Sequence, residues 1–168
     1  MRFAYADPPY HGLGKRLYAA EHDDAARWDD ESAHRELADE LMTYYPDGWV
    51  LSCNPRDIPM YAEFFLGADY RIAAWTKTYH QWRPVSVQYA WEPVFFCGGR
   101  SIPRRAPFVR DWYSCSTALS GSLIGSKPPG FCRWVLDLLG FDVAQDTLDD
   151  LFPGTGVMSS VMSQGVLT

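Results

Sequence analysis

The sequence is as informative for what it lacks as for what it holds. No apolar run approaches the ~20 residues that a helical bilayer span requires, and the opening MRFAYADPPY has no apolar segment ending in small residues of the kind that marks a secretory signal. The expectation is a soluble cytoplasmic protein with no membrane partner, in a host cytoplasm if phage-encoded. There is no CxxC pair: Cys53, Cys97, Cys115 and Cys132 stand far apart, and His11, His22, His34 and His80 are as dispersed. Zinc sites show close ligand pairs, so no metal is expected and the thiols are read as reduced. No GxxxxGK[ST] phosphate loop is present, which ranks a generic nucleotide-binding protein last. Positive charge is scarce, with 15 Lys and Arg against 21 Asp and Glu and a net charge of -6. That balance argues against a general nucleic-acid coat protein. No internal repeat and no linker divides the chain.

What is present suits one globular domain spanning 1–168. The 168 residues are 47% hydrophobic and include seven tryptophans, a composition that favours a packed core over disorder. The charge is uneven. AAEHDDAARWDDESAHRELADE is acidic, whereas GGRSIPRRAPFVRD carries Arg100, Arg104, Arg105 and Arg110. A polyanion could bind at that basic stretch despite the acidic total.

Hydrophobic patterning predicts alternating elements. Arg2 to Ala6 reads as a strand, followed by a turn-rich loop from Pro8 to Glu31. Ser32 is placed as the cap of a helix whose Leu37, Leu41 and Met42 share a face. PDG stops it, and WVLSCN reads as a buried strand. A helix from Asp57 to Leu66 is expected to turn Ile58, Tyr61, Ala62 and Phe65 inward. YRIAAWTK and YAWEPVFFCGG read as strands, the second ended by Gly98 and Gly99. Arg100 to Pro129 reads as irregular and too long for an idle connector. FCRWVLDLLG is a helix stopped by Gly140. DTLDDLF is a strand, PGTG a bend, and VMSSVMSQ a last helix. Such alternation predicts an α/β fold, a mostly parallel sheet with helices on both faces.

Two turns carry the chemistry. Asp7-Pro8-Pro9-Tyr10 follows the first strand, and Gly154-Thr155-Gly156 follows the last. Prolines fix backbone direction, and glycines ahead of a helix let backbone N–H groups approach a ligand. Taken singly, each turn is as well explained by structure alone. Ligands in open α/β sheets bind beyond the carboxyl ends of strands, near a switch in strand order. If the two strands are neighbours, both turns open onto one crevice.

With these residues in hand, the sequence resembles the amino-group DNA methyltransferases, a family that uses S-adenosylmethionine. Asp7-Pro8-Pro9-Tyr10 matches the family's (D/N/S)PP(Y/F/W) tetrapeptide in full. Asp150, Phe152, Gly154 and Gly156 match its D-x-F-x-G-x-G cofactor turn. SKPPGFCRWVLDLLG, from Ser126, looks like the Lys-Pro step and helix that precede that turn. The tetrapeptide comes first and the cofactor turn last, a permuted order found in the family, and the match covers nearly the whole chain. DDLFPGTG and YAWEPVFF also look like small phage or actinobacterial members. The resemblance implies a Rossmann-like methyltransferase sheet. It also implies that Asp7 and the Pro8 carbonyl accept the N–H groups of an exocyclic amine, with Pro9 and Tyr10 completing the site and Tyr10 stacked on a base taken out of the duplex. Asp150, Phe152, Gly154, Thr155 and Gly156 would hold the cofactor, with Lys127 and Pro128. An aspartate in the first position points to adenine, since members acting on cytosine often have serine there.

Other assignments rest on less. Arg100, Arg104, Arg105 and Arg110, in a candidate target-contacting loop over 100–126, and Lys77, in WTKTYHQW with Trp75, Tyr79 and Trp82, would meet nucleic acid. Glu92 is either a site contact or a paired structural acid. The sequence departs from the pattern in two ways. Twelve residues follow Gly156, where the family continues to an acidic residue that binds the cofactor ribose, and no separate target-recognition domain is visible. A homodimer or a partner subunit completing the site is therefore an expectation. Methylation of cytosine or of RNA adenosine, and a catalytically silent binding subunit, stay open beside adenine methylation in DNA.

Overall fold

The computed structural model describes residues 1–19, 23–78, 84–101, 107–116 and 127–164. Among them, six strands form one sheet: β1 (Arg2–Ala6), β2 (Gly48–Ser52), β3 (Tyr70–Lys77), β4 (Trp91–Gly98), β5 (Trp112–Cys115) and β6 (Thr147–Asp150). Their order is β5-β3-β4-β2-β1-β6. β1 pairs in parallel with both β2 and β6, and β3 with β5; only β4 runs against its neighbours. The sheet is mostly parallel, as expected from the alternation.

Five helices accompany it: α1 (Gly14–Tyr18), α2 (Glu31–Tyr44), α3 (Ile58–Phe64), α4 (Pro129–Leu139) and α5 (Val157–Gln164). Side chains alternate across a strand, and here both faces are covered. Ala4, Ala6, Trp49, Leu51 and Phe95 share one core with Leu37, Leu41, Tyr61 and Phe65, from α2, α3 and the residue that ends α3. Phe3, Tyr5, Val50, Val94 and Phe96 share the other with Phe131, Val135 and Leu139 of α4 and Met158 and Val161 of α5. This double burial explains why AYA and WVL read as continuous apolar runs. Trp49 stacks on Phe65 at 4.3 Å between ring centroids, which fastens β2 to the end of α3.

Two segments read as irregular contain structure. Pro8 to Glu31 holds α1 and a 3-10 turn over Ala25–Asp29. The bond that ties them, Gly14 N–H to Asp29 Oδ1 at 2.7 Å, spans fifteen residues and has no local signature. Arg100 to Pro129 holds β5, an edge strand of four residues that is too short to give a clear alternation. Asp30, not Ser32, precedes α2, and its side chain makes no capping bond.

The topology fixes where a ligand would sit. From β1 the chain moves through α2 to β2 on one side, whereas α4 leads into β6 on the other. The direction of winding therefore switches between β1 and β6, and beyond the carboxyl ends at such a switch is where a ligand crevice is expected.

Candidate active site

Both turns open into that crevice. Tyr5 is in register with Asp150, and the Leu151 N–H donates to the Tyr5 carbonyl at 2.9 Å. Asp7 and Asp150 therefore leave the sheet side by side. A cleft of about 640 Å³ lies there, lined by Asp7, Pro9 and Lys127 and by the run from Asp150 to Thr155. The glycine turn is closed by the Gly156 N–H donating to the Pro153 carbonyl at 2.6 Å. Gly154 and Gly156 have φ of 46° and 72°, a left-handed backbone that favours glycine. A Cβ on Gly156 would meet no atom within 4 Å. Gly154 itself lines the cleft, and the turn leads into a helix of eight residues, α5.

Three charged side chains gather behind the tetrapeptide and meet its Asp7. Lys127 Nζ donates to Asp7 Oδ1 at 2.7 Å and lies 3.4 Å from Glu92 Oε2, while Lys77 Nζ donates to Glu92 Oε1. All four side chains are largely buried. Burial pushes Asp7 above the ordinary carboxylate range, although Lys127 draws it down. Burial acts on Glu92 in the same direction, but Lys127 and Lys77 overcome it, and its carboxyl stays below the usual range. For Lys127 burial lowers the pKa, and the two carboxylates more than offset it, so the ammonium is firmly charged. Tyr10 sits beside this cluster with its ring 5.8 Å from Lys127 Nζ, and burial raises its phenol pKa well above normal. Asp150 is also raised by burial, and its Oδ1 accepts from the Phe152 N–H at 3.3 Å.

The far wall of the cleft was not legible as a site. Trp28, from the 3-10 turn, packs edge-on against Phe152 with centroids 5.0 Å apart. Glu36 and Glu40 of α2 line the same space, and Arg27 pairs with Glu36 at 2.9 Å. The only signal in the sequence is that Glu36 and Glu40 lie one turn apart, on the side of α2 that also carries Ala33 and Leu37.

The basic residues divide. Lys77 is engaged with Glu92 at the top of β3. Arg100 lies at the opposite end of the sheet, where it pairs with the buried Asp146 through two bonds of 2.6 and 2.7 Å. Arg110 is exposed before β5, 5.3 Å from the Trp112 ring. Arg104 and Arg105 lie outside the described residues. Pro128 precedes α4 as its cap residue. Among the described residues, no group of three or more His, Cys, Asp and Glu could hold a metal ion. None of their helices is long and apolar enough to cross a membrane.

No family model matches the chain, and no curated protein does. Solved structures do. The crystal structure of an M1.HpyAVI–SAM complex matches with a TM-score of 0.64 at 15% identity, over 98% of this chain and 78% of that one. A crystal structure of M1.HpyAVI matches with a TM-score of 0.60 at 16% identity, over 96% and 75%. The likeness is one of fold. It places the mixed sheet and its flanking helices among methyltransferase folds, and leaves chemistry to be argued from the site.

Proposed function

We propose that this chain transfers a methyl group from S-adenosylmethionine to the exocyclic 6-amino group of adenine in DNA. One observation carries the reading. The acidic proline turn and the glycine turn leave adjacent parallel strands and line a single cleft. The likeness in fold to a structure that contains SAM adds support.

The residues fit such a cofactor. The left-handed Gly154 on the cleft wall suits close approach to backbone, and Asp150 to Thr155 form one side of the cleft. The cofactor would supply an electrophilic methyl group. The remaining work falls to the chain. An aromatic amine is a poor nucleophile because its lone pair is delocalised into the ring. Asp7 and the Pro8 carbonyl accept its two N–H bonds and favour a tetrahedral nitrogen, and the prolines hold that carbonyl in place. Tyr10 stacks on the base, which leaves the duplex to reach the pocket. Arg104, Arg105 and Arg110 meet phosphate.

The test is methyl transfer from labelled S-adenosylmethionine to duplex DNA, single-stranded DNA and RNA, with the products digested to nucleosides and weighed. Methyladenine from DNA is expected. Label on cytosine, or only in RNA, replaces the base or the polymer, and no label on any of them refutes the activity. Asp7→Ala should lower the rate by at least about a hundredfold, the scale of a lost transition-state contact, with cofactor binding retained.

A further inference from the structure

The buried cluster behind the tetrapeptide is unevenly filled. Glu92 Oε1 is taken by Lys77, and the Tyr10 hydroxyl also acts on this carboxylate, but Glu92 Oε2 is buried and has no hydrogen bond of ordinary geometry among the described residues. A buried carboxylate oxygen left unsatisfied is costly and calls for an explanation. Lys127 Nζ lies 3.4 Å away and is turned instead toward Asp7 at 2.7 Å. Closing that gap to hydrogen-bond length needs a movement of about 0.6 Å. Lysine suits such a movement, being a point charge with rotatable donors on a flexible stem. Its surroundings permit it too. Tyr10, Trp75 and Phe131 present rings 5.8, 5.8 and 5.9 Å from Nζ, so the ammonium sits among aromatic rings.

A further problem points the same way. While Lys127 holds Asp7 Oδ1, an incoming N–H would have to share that oxygen with the ammonium, which draws off part of its acceptor strength. We propose that Lys127 is a two-position cation, resting on Asp7 in the empty site and moving to the unfilled oxygen of Glu92 when an amino group takes its place. This rests on the function proposed above and makes Glu92 a positioning residue for it. Two carboxylates and two ammonium groups stay in balance in either position, so the exchange moves no net charge into or out of the cleft.

The first test is independent of any substrate. In a crystal structure of Asp7→Asn, which removes the charge and keeps the shape, Lys127 Nζ is expected within about 3.0 Å of Glu92 Oε2. Lys127 still bound to the substituted side chain, with Glu92 Oε2 unpaired, would overturn the proposal. The second test is Glu92→Gln, where Lys127 has no receiving charge and stays on Asp7. The kcat for methyl transfer should fall by about tenfold or more, while cofactor affinity by calorimetry is unchanged. A purely structural Glu92 would instead lower stability and cofactor affinity together, and wild-type turnover in this variant would also overturn the proposal. If the wild-type protein methylates nothing, the functional reading fails, and the Asp7→Asn structure still decides where Lys127 goes.

Discussion

Lys127→Met should destabilise the fold in a way that depends on pH, and the structure gives both the size and the sign. The ammonium lies 2.7 Å from Asp7 and 3.4 Å from Glu92. At an effective dielectric of 20 each pair is worth about 5 kcal/mol in gross attraction. Desolvation of a largely buried lysine offsets most of that, and methionine keeps the apolar stem. The net loss expected on breaking a buried pair is about 3 kcal/mol. In a chain of this length that is a fall in Tm of about 10 °C. The loss comes from leaving Asp7 ionised without its cation. Burial already holds the Asp7 pKa above the ordinary range, and Lys127 is the largest influence that draws it down. Without Lys127 the folded-state pKa rises further. A raised carboxylate pKa disfavours the fold where the group is ionised, and the penalty fades as pH falls through that pKa and a proton is taken up. The cost of Lys127→Met should therefore be larger near about pH 8 than near about pH 5, with the lost Glu92 contact part of what remains. Urea unfolding of both proteins at the two pH values measures it. A cost that is constant, or that grows on acidification, refutes the reasoning.

Other outcomes follow from the opposite end of the sheet and from the turns. Asp146 accepts from the Met1 ammonium at 2.8 Å, from Arg100 and from the Asp142 N–H at 2.8 Å; burial raises its pKa, but these donors win and hold it well below the usual range. Its stabilisation is present above the unfolded carboxylate pKa and is lost as pH falls toward the folded value, so Asp146→Asn should cost stability at neutral pH and little in strong acid, as read by unfolding at each pH. Arg100→Gln should lower thermal stability and leave the salt dependence of DNA binding unchanged, since Arg100 serves Asp146; a shallower salt slope would return it to the phosphate-contacting set. Gly98→Ala should cost a few kcal/mol by thermal unfolding, because φ is 69° and a Cβ would lie 2.6 Å from the Asp47 carbonyl oxygen.

Which features were legible depended on whether their cause was local. β3 was legible to the residue, because eight apolar-rich positions between turn signals leave few alternatives. The two turns were legible because glycine and proline constrain the backbone wherever they stand. The closeness of the turns is not local: it depends on β6 returning beside β1 across about 140 residues, and only the assumption of neighbouring strands could supply it. α1 and β5 were missed for a related reason. Five and four residues are too short to show a period, and each is held by a partner distant in sequence. Arg100 shows the same limit for charge. Its neighbours in sequence are basic, while its neighbour in space is Asp146, and pairing decides what a charged residue does.

The same reasoning separates the two lysines of the site from Arg110, which is exposed. A positive side chain available to phosphate is exposed and unpaired, whereas Lys77 and Lys127 are buried beside carboxylates. Asp7 and the three charges packed behind it are expensive to desolvate, and apolar residues of similar volume would often serve stability as well. The cost becomes intelligible if the cluster governs the state of one carboxylate. Asp7 is raised by burial toward neutrality and drawn back by Lys127. It is therefore held as an acceptor in a place where an isolated carboxylate would tend to take up a proton. In the empty site that arrangement keeps Asp7 ready as an acceptor until an uncharged amine arrives. Burial removes competing water, and a neighbouring cation keeps the charge.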